Sequence, residues 1–91
     1  MTSAWKIELS TDISKQLRKI DRKNSERIID YLEQRVAGTN DPRRLGRALK
    51  GKEFENLWRY RIGDYRVICD LQDNRLVVLV IEIGHRREIY R

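Results

Sequence analysis

The chain has 91 residues, of which 40% are hydrophobic and 37% are charged, and its formal net charge at pH 7 is +6. This length predicts a single domain, residues 1–91, with one modest core. Predominantly apolar runs such as Leu76–Ile83 exclude a wholly disordered chain. The excess of positive charge favours a polyanion, above all nucleic acid, as the class of partner.

Several kinds of chemistry are excluded by what the sequence lacks. The single cysteine, Cys69, cannot form an internal disulfide, and with one histidine it cannot build a zinc site of Cys and His ligands. No glycine-rich phosphate loop is present, which disfavours nucleotide-dependent chemistry. We expect no cofactor and no metal. The N-terminus lacks the apolar run of a signal peptide, and no segment approaches the roughly 18 apolar residues of a membrane span. We therefore expect a protein of the reducing cytoplasm.

The first half of the chain predicts one strand followed by two helices. Apolar and charged residues alternate over residues 5–9, which is the pattern of a half-buried strand. A first helix is predicted over residues 11–22, after side chains that can cap its N-terminus. Asn24 and Ser25 predict a break and a new cap, and Gly38 is expected to end the second helix.

The second half predicts a meander of three strands. The first strand is predicted over residues 54–62, with Arg59 and Arg61 on one face and Phe54, Trp58, Tyr60 and Ile62 on the other. Gly63-Asp64 then predicts a tight turn. A second strand follows over residues 65–71. The continuous apolar run Leu76–Ile81 predicts a central strand that is covered on both faces. The order is β-α-α-β-β-β, an α+β domain in which a four-stranded antiparallel or mixed sheet has a helical hairpin packed on one face.

A basic segment connects the two halves. Residues 43–52 carry five positive charges and no negative one. Leu45 and Leu49 can anchor one helical turn, but Gly46 and Gly51 disfavour a longer helix. We expect this segment to contribute to a basic surface.

Arginines in the predicted meander point to phosphate chemistry. Arg59 and Arg61 share one strand face, and Arg66 begins the next strand across the turn. Arginine cannot act as a base, but it binds phosphate bidentately and neutralises charge that builds on a phosphoryl group. RNA supplies its own nucleophile, the 2′-hydroxyl, so an RNase needs mainly in-line positioning, anion stabilisation and modest proton transfer. The candidates for proton transfer or base stacking are Tyr65, His85 and Tyr90.

Three motifs in sequence order resemble the RelE family of bacterial type II toxins. They are LKG at residues 49–51, LWRYRIGDYRVI at residues 57–68 and VIEIGHRREIYR at residues 80–91. The set is specific to the RelE/ParE superfamily, and the strand–helix–helix start also fits. The resemblance implies a ribosome-dependent endoribonuclease that cuts translated mRNA in the ribosomal A site.

The resemblance also implies roles for single residues. Arg66 matches a transition-state arginine, Arg86 a second phosphate-binding arginine, and Tyr90 a tyrosine that stacks on or polarises the substrate. Arg59 falls where the best-studied branch has a catalytic lysine, and Leu57 stands where that branch has another. The residues expected to bind RNA or the ribosome are Arg43, Arg44, Arg47, Lys50, Lys52, Arg61, His85 and Arg87.

Strand parity and the short turn predict one concave basic surface. We expect Arg59, Arg61, Arg66 and Arg86 to converge there, with Tyr90 at the rim. The sequence has no strong acid–base pair of the kind found in free-standing ribonucleases, so the enzyme is expected to depend on the ribosome to orient its RNA.

The partners implied by the resemblance are an acidic antitoxin, the ribosome with its mRNA, and operator DNA through the antitoxin complex only. No membrane partner is expected. Two alternatives stay open. ParE-type toxins share the scaffold but poison DNA gyrase and cut nothing, and an inactive toxin can serve as a DNA-binding corepressor with its antitoxin.

Overall fold

The computed structural model describes residues 5–85. The regular elements are β1 (Lys6–Leu9), α1 (Thr11–Lys19), α2 (Arg22–Asp30), β2 (Arg47–Ala48), β3 (Leu57–Ile62), β4 (Tyr65–Gln72) and β5 (Val77–His85). A π-helical stretch, Tyr31–Val36, continues α2, and two 3₁₀ turns cover Pro42–Leu45 and Lys52–Phe54. None of the helices within residues 5–85 is long and apolar enough to span a membrane.

Side chains that cap backbone N–H groups set the start of both helices. The Ser10 hydroxyl accepts a hydrogen bond from the Ile13 N–H at 3.2 Å, which starts α1. Ile20 has extended backbone angles, and the Asp21 carboxylate then accepts the Asn24 N–H at 3.2 Å to start α2. The predicted position of the break is therefore wrong by a few residues. An aspartate that precedes the Asn-Ser pair provides the cap.

The sheet has five strands in the order β1-β5-β4-β3-β2. β1 runs parallel to β5, and all other neighbours are antiparallel. The predicted α+β class with a mixed sheet is confirmed, but the prediction of four strands is one too few. The missed strand, β2, has two residues, Arg47 and Ala48, in a polar stretch with no apolar alternation to reveal it.

The meander follows the predicted alternation with a later start. Tyr60 and Ile62 are buried, whereas Arg61 between them is exposed. β3 begins at Leu57, because the residues before it form a 3₁₀ turn that includes Phe54. The helical turn expected from Leu45 to Leu49 is wrong, because the 3₁₀ turn Pro42–Leu45 ends at Leu45 and β2 follows it.

A β-bulge interrupts the apolar strand β5. Ile68 pairs with Glu82 but Cys69 pairs with Val80, so Ile81 is the extra residue, and it is 43% exposed. The prediction that this strand is covered on both faces is wrong at Ile81, because the helices pack on one face of the sheet.

The core lies between that face and the helices. Its fully buried side chains include Ile13, Ile28, Leu32, Val36, Tyr60, Val67, Cys69, Leu71, Val78 and Val80. Burial raises the pKa of the Cys69 thiol to about 12, so this thiol is a packing group at neutral pH. The opposite face of the sheet is left for the basic side chains of β2, β3 and β4.

Candidate nucleic-acid interface

Two pairs of arginines face each other on the sheet. Arg61 is the direct partner of Arg66 across β3 and β4, and Arg47 is the direct partner of Arg59 across β2 and β3. Directly opposed residues project to the same side of an antiparallel pair, and residues two apart on one strand do so as well. All four arginines therefore project from the face that the helices leave open.

The four arginines surround one cavity of about 280 Å³, which we call the arginine cavity. Its lining residues are Leu45, Gly46, Arg47, Arg59, Arg61 and Arg66. Arg66 is only 5% exposed and is the one buried charged residue within residues 5–85. Since no carboxylate is among these lining residues, the cavity concentrates positive charge and is suited to bind an anion such as phosphate.

One wall of the arginine cavity is formed by residues 41–49, which we call the edge strap. The buried Tyr60 hydroxyl donates a hydrogen bond to the Pro42 carbonyl oxygen at 2.8 Å. Gly46 lies so close to the sheet that a Cβ there would be 2.8 Å from Tyr60 Cε1. Burial raises the pKa of Tyr60, so the hydroxyl remains a donor at neutral pH. The edge strap is thus packed directly on β3.

Arg43 belongs to the edge strap but does not line the arginine cavity. Its guanidinium donates to both carboxylate oxygens of Asp73, at 3.0 and 2.5 Å, and lies 5.8 Å from the centroid of the Trp58 ring. The hydrogen bond from Arg43 lowers the pKa of Asp73, and the same bond raises the pKa of Arg43. Sequence reasoning assigned Arg43 to RNA binding, but its guanidinium is engaged in a contact within the protein.

His85 and Tyr65 lie away from the arginines. Their rings meet edge to face, with centroids 5.3 Å apart at an interplanar angle of 83°. Both line a separate groove of about 380 Å³, together with Gln16, Lys19, Ile20, Ile83 and Gly84. Three of its members come from α1 or the residue that ends it, so the groove lies on the helix side of the sheet. The structure therefore does not place Tyr65 and His85, two of the three candidates for proton transfer, beside the arginine cavity.

The remaining predicted residues divide into two groups. Arg44, Lys50 and Lys52 are exposed and lie outside the arginine cavity. Three predicted residues, Arg86, Arg87 and Tyr90, lie outside the part of the chain that the structure describes. The convergence of Arg86 and Tyr90 on the basic surface stays a prediction.

A protein-family model matches residues 7–90, and the family is described as the ParE toxin of type II toxin–antitoxin systems. The chain belongs to this toxin family. Two curated relatives are Toxin RelE of Mycobacterium tuberculosis, 40% identical over 52 residues, and Toxin RelG of the same organism, 30% identical over 53 residues. The resemblance to RelE-family toxins is thereby confirmed.

The matches to these relatives are partial, whereas the match in fold covers nearly the whole chain. They cover 57% and 58% of this chain, and 53% of Toxin RelE and 60% of Toxin RelG. The chain thus spans little more than half the length of these relatives. The RelBE2 toxin–antitoxin complex from M. tuberculosis contains a chain with the same fold, at a TM-score of 0.79 and 19% identity over 94% of both chains.

Proposed function

We propose that the chain is the toxin of a type II toxin–antitoxin system and that it cuts translated mRNA on the ribosome. The observation that carries this proposal is the arginine cavity, in which Arg47, Arg59, Arg61 and Arg66 surround one anion-sized space. Four guanidinium groups are a binding site for phosphodiesters, because each can donate bidentately and keeps its charge at every physiological pH.

The proposed reaction uses the RNA as its own nucleophile. The 2′-oxygen attacks the neighbouring phosphorus and loses its proton, the bond to the 5′-oxygen breaks, and that oxygen takes up a proton as it leaves. The products are a 2′,3′-cyclic phosphate and a free 5′-hydroxyl. Negative charge builds on the phosphoryl oxygens in the transition state, and Arg66 and its neighbours stabilise it. Arg86 and Tyr90 are proposed to complete the site.

The proposed dependence on the ribosome follows from the chemical groups that line the arginine cavity in the described part of the chain. Arginine stabilises charge but does not accept a proton, because its pKa exceeds about 12. The lining residues found within the described part of the chain include no histidine and no carboxylate. We therefore assign in-line positioning of the 2′-oxygen to the ribosome, which holds the mRNA in one conformation.

An acidic antitoxin is the proposed inhibitor and binding partner. The net charge of +6 favours an acidic partner, and the M. tuberculosis structure with the same fold is a toxin–antitoxin complex. We propose that a partly disordered acidic segment wraps the helices and the open face of the sheet, and that operator DNA is bound only through this complex.

Single-turnover cleavage of one mRNA tests the proposal. The purified chain is mixed with the mRNA on programmed ribosomes and, in parallel, with the same RNA free in solution. We expect rapid cleavage on the ribosome and barely detectable cleavage of free RNA. Equal rates on both substrates would contradict dependence on the ribosome, and no cleavage on either would contradict the RNase assignment.

Poisoning of DNA gyrase is the second candidate, because the matching family model is described as a ParE toxin. The two functions have different consequences in cells. An mRNA-cutting toxin halts translation and leaves cut messages, whereas a gyrase poison halts replication and induces the SOS response. Expression of the chain followed by primer extension on a translated message and an SOS reporter separates them.

A further inference from the structure

The Arg43–Asp73 ion pair joins the edge strap, which carries Arg47, to a turn that contains none of the cavity arginines. Arg43 lies in the edge strap, and Asp73 lies in the turn between β4 and β5, 30 positions further along the chain. We propose that this pair is a positioning device for RNA binding, which clamps the edge strap to the sheet so that Arg47 lies in the arginine cavity. The inference rests on the proposed binding of RNA in that cavity.

The edge strap needs such a contact because its pairing with the sheet is short. β2 contains two residues, and the next backbone bond, from the Leu49 N–H to the Leu57 carbonyl oxygen, measures 3.1 Å. A strand of two residues at a sheet edge is marginal on its own. The Tyr60 hydroxyl on Pro42 and the ion pair of Arg43 are the side-chain contacts that fix the part of the edge strap before β2.

The clamp is connected to Arg47 through β3. Arg43 lies over the ring of Trp58, and Trp58 is the strand partner of Ala48, the neighbour of Arg47. The bidentate contact with Asp73 fixes the plane of the guanidinium, which a single contact would leave free to rotate. Loss of Asp73 would leave Arg43 with the weaker contacts to Asp41, at 3.9 Å within the edge strap, and to the Trp58 ring, and so would loosen the wall that presents Arg47 to the cavity.

If Asp73 is a positioning residue, neutralising it changes the affinity for RNA in the direction opposite to the one expected from net charge alone. Neutralising an acidic residue raises the net charge of a basic protein and ordinarily tightens its binding to RNA. If Asp73 positions the edge strap, Asp73→Asn must weaken RNA binding although it removes a negative charge. Asp64 is an exposed aspartate in the turn between β3 and β4, between Arg61 and Arg66 in the sequence. Asp64→Asn makes the same change of charge but does not alter the Arg43–Asp73 pair.

The test is the affinity of the full chain for a fluorescent single-stranded oligoribonucleotide, measured by anisotropy at fixed salt. We expect Asp73→Asn to weaken binding by about fivefold to tenfold, in the range that loss of one charge-assisted contact produces. Asp64→Asn should bind as tightly as the unmodified chain or more tightly. Urea unfolding of each variant ensures that only folded protein is compared.

A double-mutant cycle with Arg47→Ala separates positioning from a general loss of structure. If Asp73 acts through Arg47, Asp73→Asn adds little further loss in the Arg47→Ala background. Full additivity of the two losses would overturn the proposal, and so would an unchanged or tighter affinity of Asp73→Asn. Absence of RNA binding by the unmodified chain would instead refute the proposed function itself.

Discussion

Arg61 and Arg66 face each other directly across β3 and β4, at the end of the hairpin that the Gly63-Asp64 turn closes. Like charges in directly opposed positions destabilise a sheet, and Arg66 is nearly buried as well. Taken alone, this opposition of like charges disfavours the pairing of the two strands. A phosphate bound between the two guanidinium groups would relieve it.

Arg61→Gln should therefore stabilise the chain while weakening its binding to RNA. Relief of the opposed charges is expected to raise the free energy of unfolding by about 0.2–1 kcal/mol. Loss of one phosphate contact should reduce the salt dependence of RNA binding by a slope of about 0.7. Urea unfolding and a salt titration of affinity measure the two effects. The matched control is Lys15→Gln on the exposed side of α1, and an equal change of slope in both variants would contradict the location of the site.

Tyr60→Phe should destabilise the edge strap by removing a single oxygen. The Pro42 carbonyl would lose its hydrogen bond from a fully buried hydroxyl, which costs about 1–3 kcal/mol. Tyr31→Phe is the control, because Tyr31 is half-buried at the edge of the core, and its effect should stay within about 0.5 kcal/mol. Equal losses in urea unfolding would show that the bond to Pro42 adds nothing.

The Arg43–Asp73 ion pair should be lost in acid. Arg43 lowers the pKa of Asp73 below its ordinary value of 3.8, so the ion pair contributes stability above that value and loses the contribution as pH falls through the lowered pKa. The difference in unfolding free energy between the unmodified chain and Asp73→Asn should be constant at neutral pH and shrink below about pH 4. A difference that persists at the acid end would contradict the ion pair.

The Cys69 thiol should be inert in the native chain. Its pKa is raised to about 12, first by burial and then by the nearby charge of Asp70, so almost no thiolate exists at pH 8. A thiol-specific disulfide reagent should react only as fast as the chain unfolds, and at once in denaturant. Rapid labelling of the native chain would show that the core around Cys69 opens.

Local sequence patterns predicted the meander and its arginines. Alternation over β3 assigns Tyr60 and Arg61 to opposite faces, and Gly63, with φ of +60°, marks the turn that brings Arg61 opposite Arg66. These features depend on neighbouring residues only. That is why the pairing of the two arginines could be anticipated from the sequence.

Local sequence patterns could not predict the contacts between residues that lie far apart in the chain. Nothing near Asp73 indicates that it binds Arg43, because the contact forms only when the edge strap packs beside β3. β2 depends on the same packing, and the bulge at Ile81 depends on the register between β4 and β5. The separation of His85 from the arginines likewise follows from strand parity after that bulge.

The most direct test of the proposed mechanism is the single-turnover rate at which Arg66 variants of the chain cleave mRNA on programmed ribosomes. Arg66→Ala should cleave about 10²–10³-fold more slowly, the cost of losing one transition-state donor, while ribosome binding falls much less. Arg66→Lys keeps the charge and should cleave at a rate between those of the unmodified chain and Arg66→Ala. Lys15→Ala on α1 should cleave at the unmodified rate. Urea unfolding verifies that each variant is folded. A folded Arg66→Ala chain that cuts mRNA at the unmodified rate would contradict the assignment of catalysis to the arginine cavity.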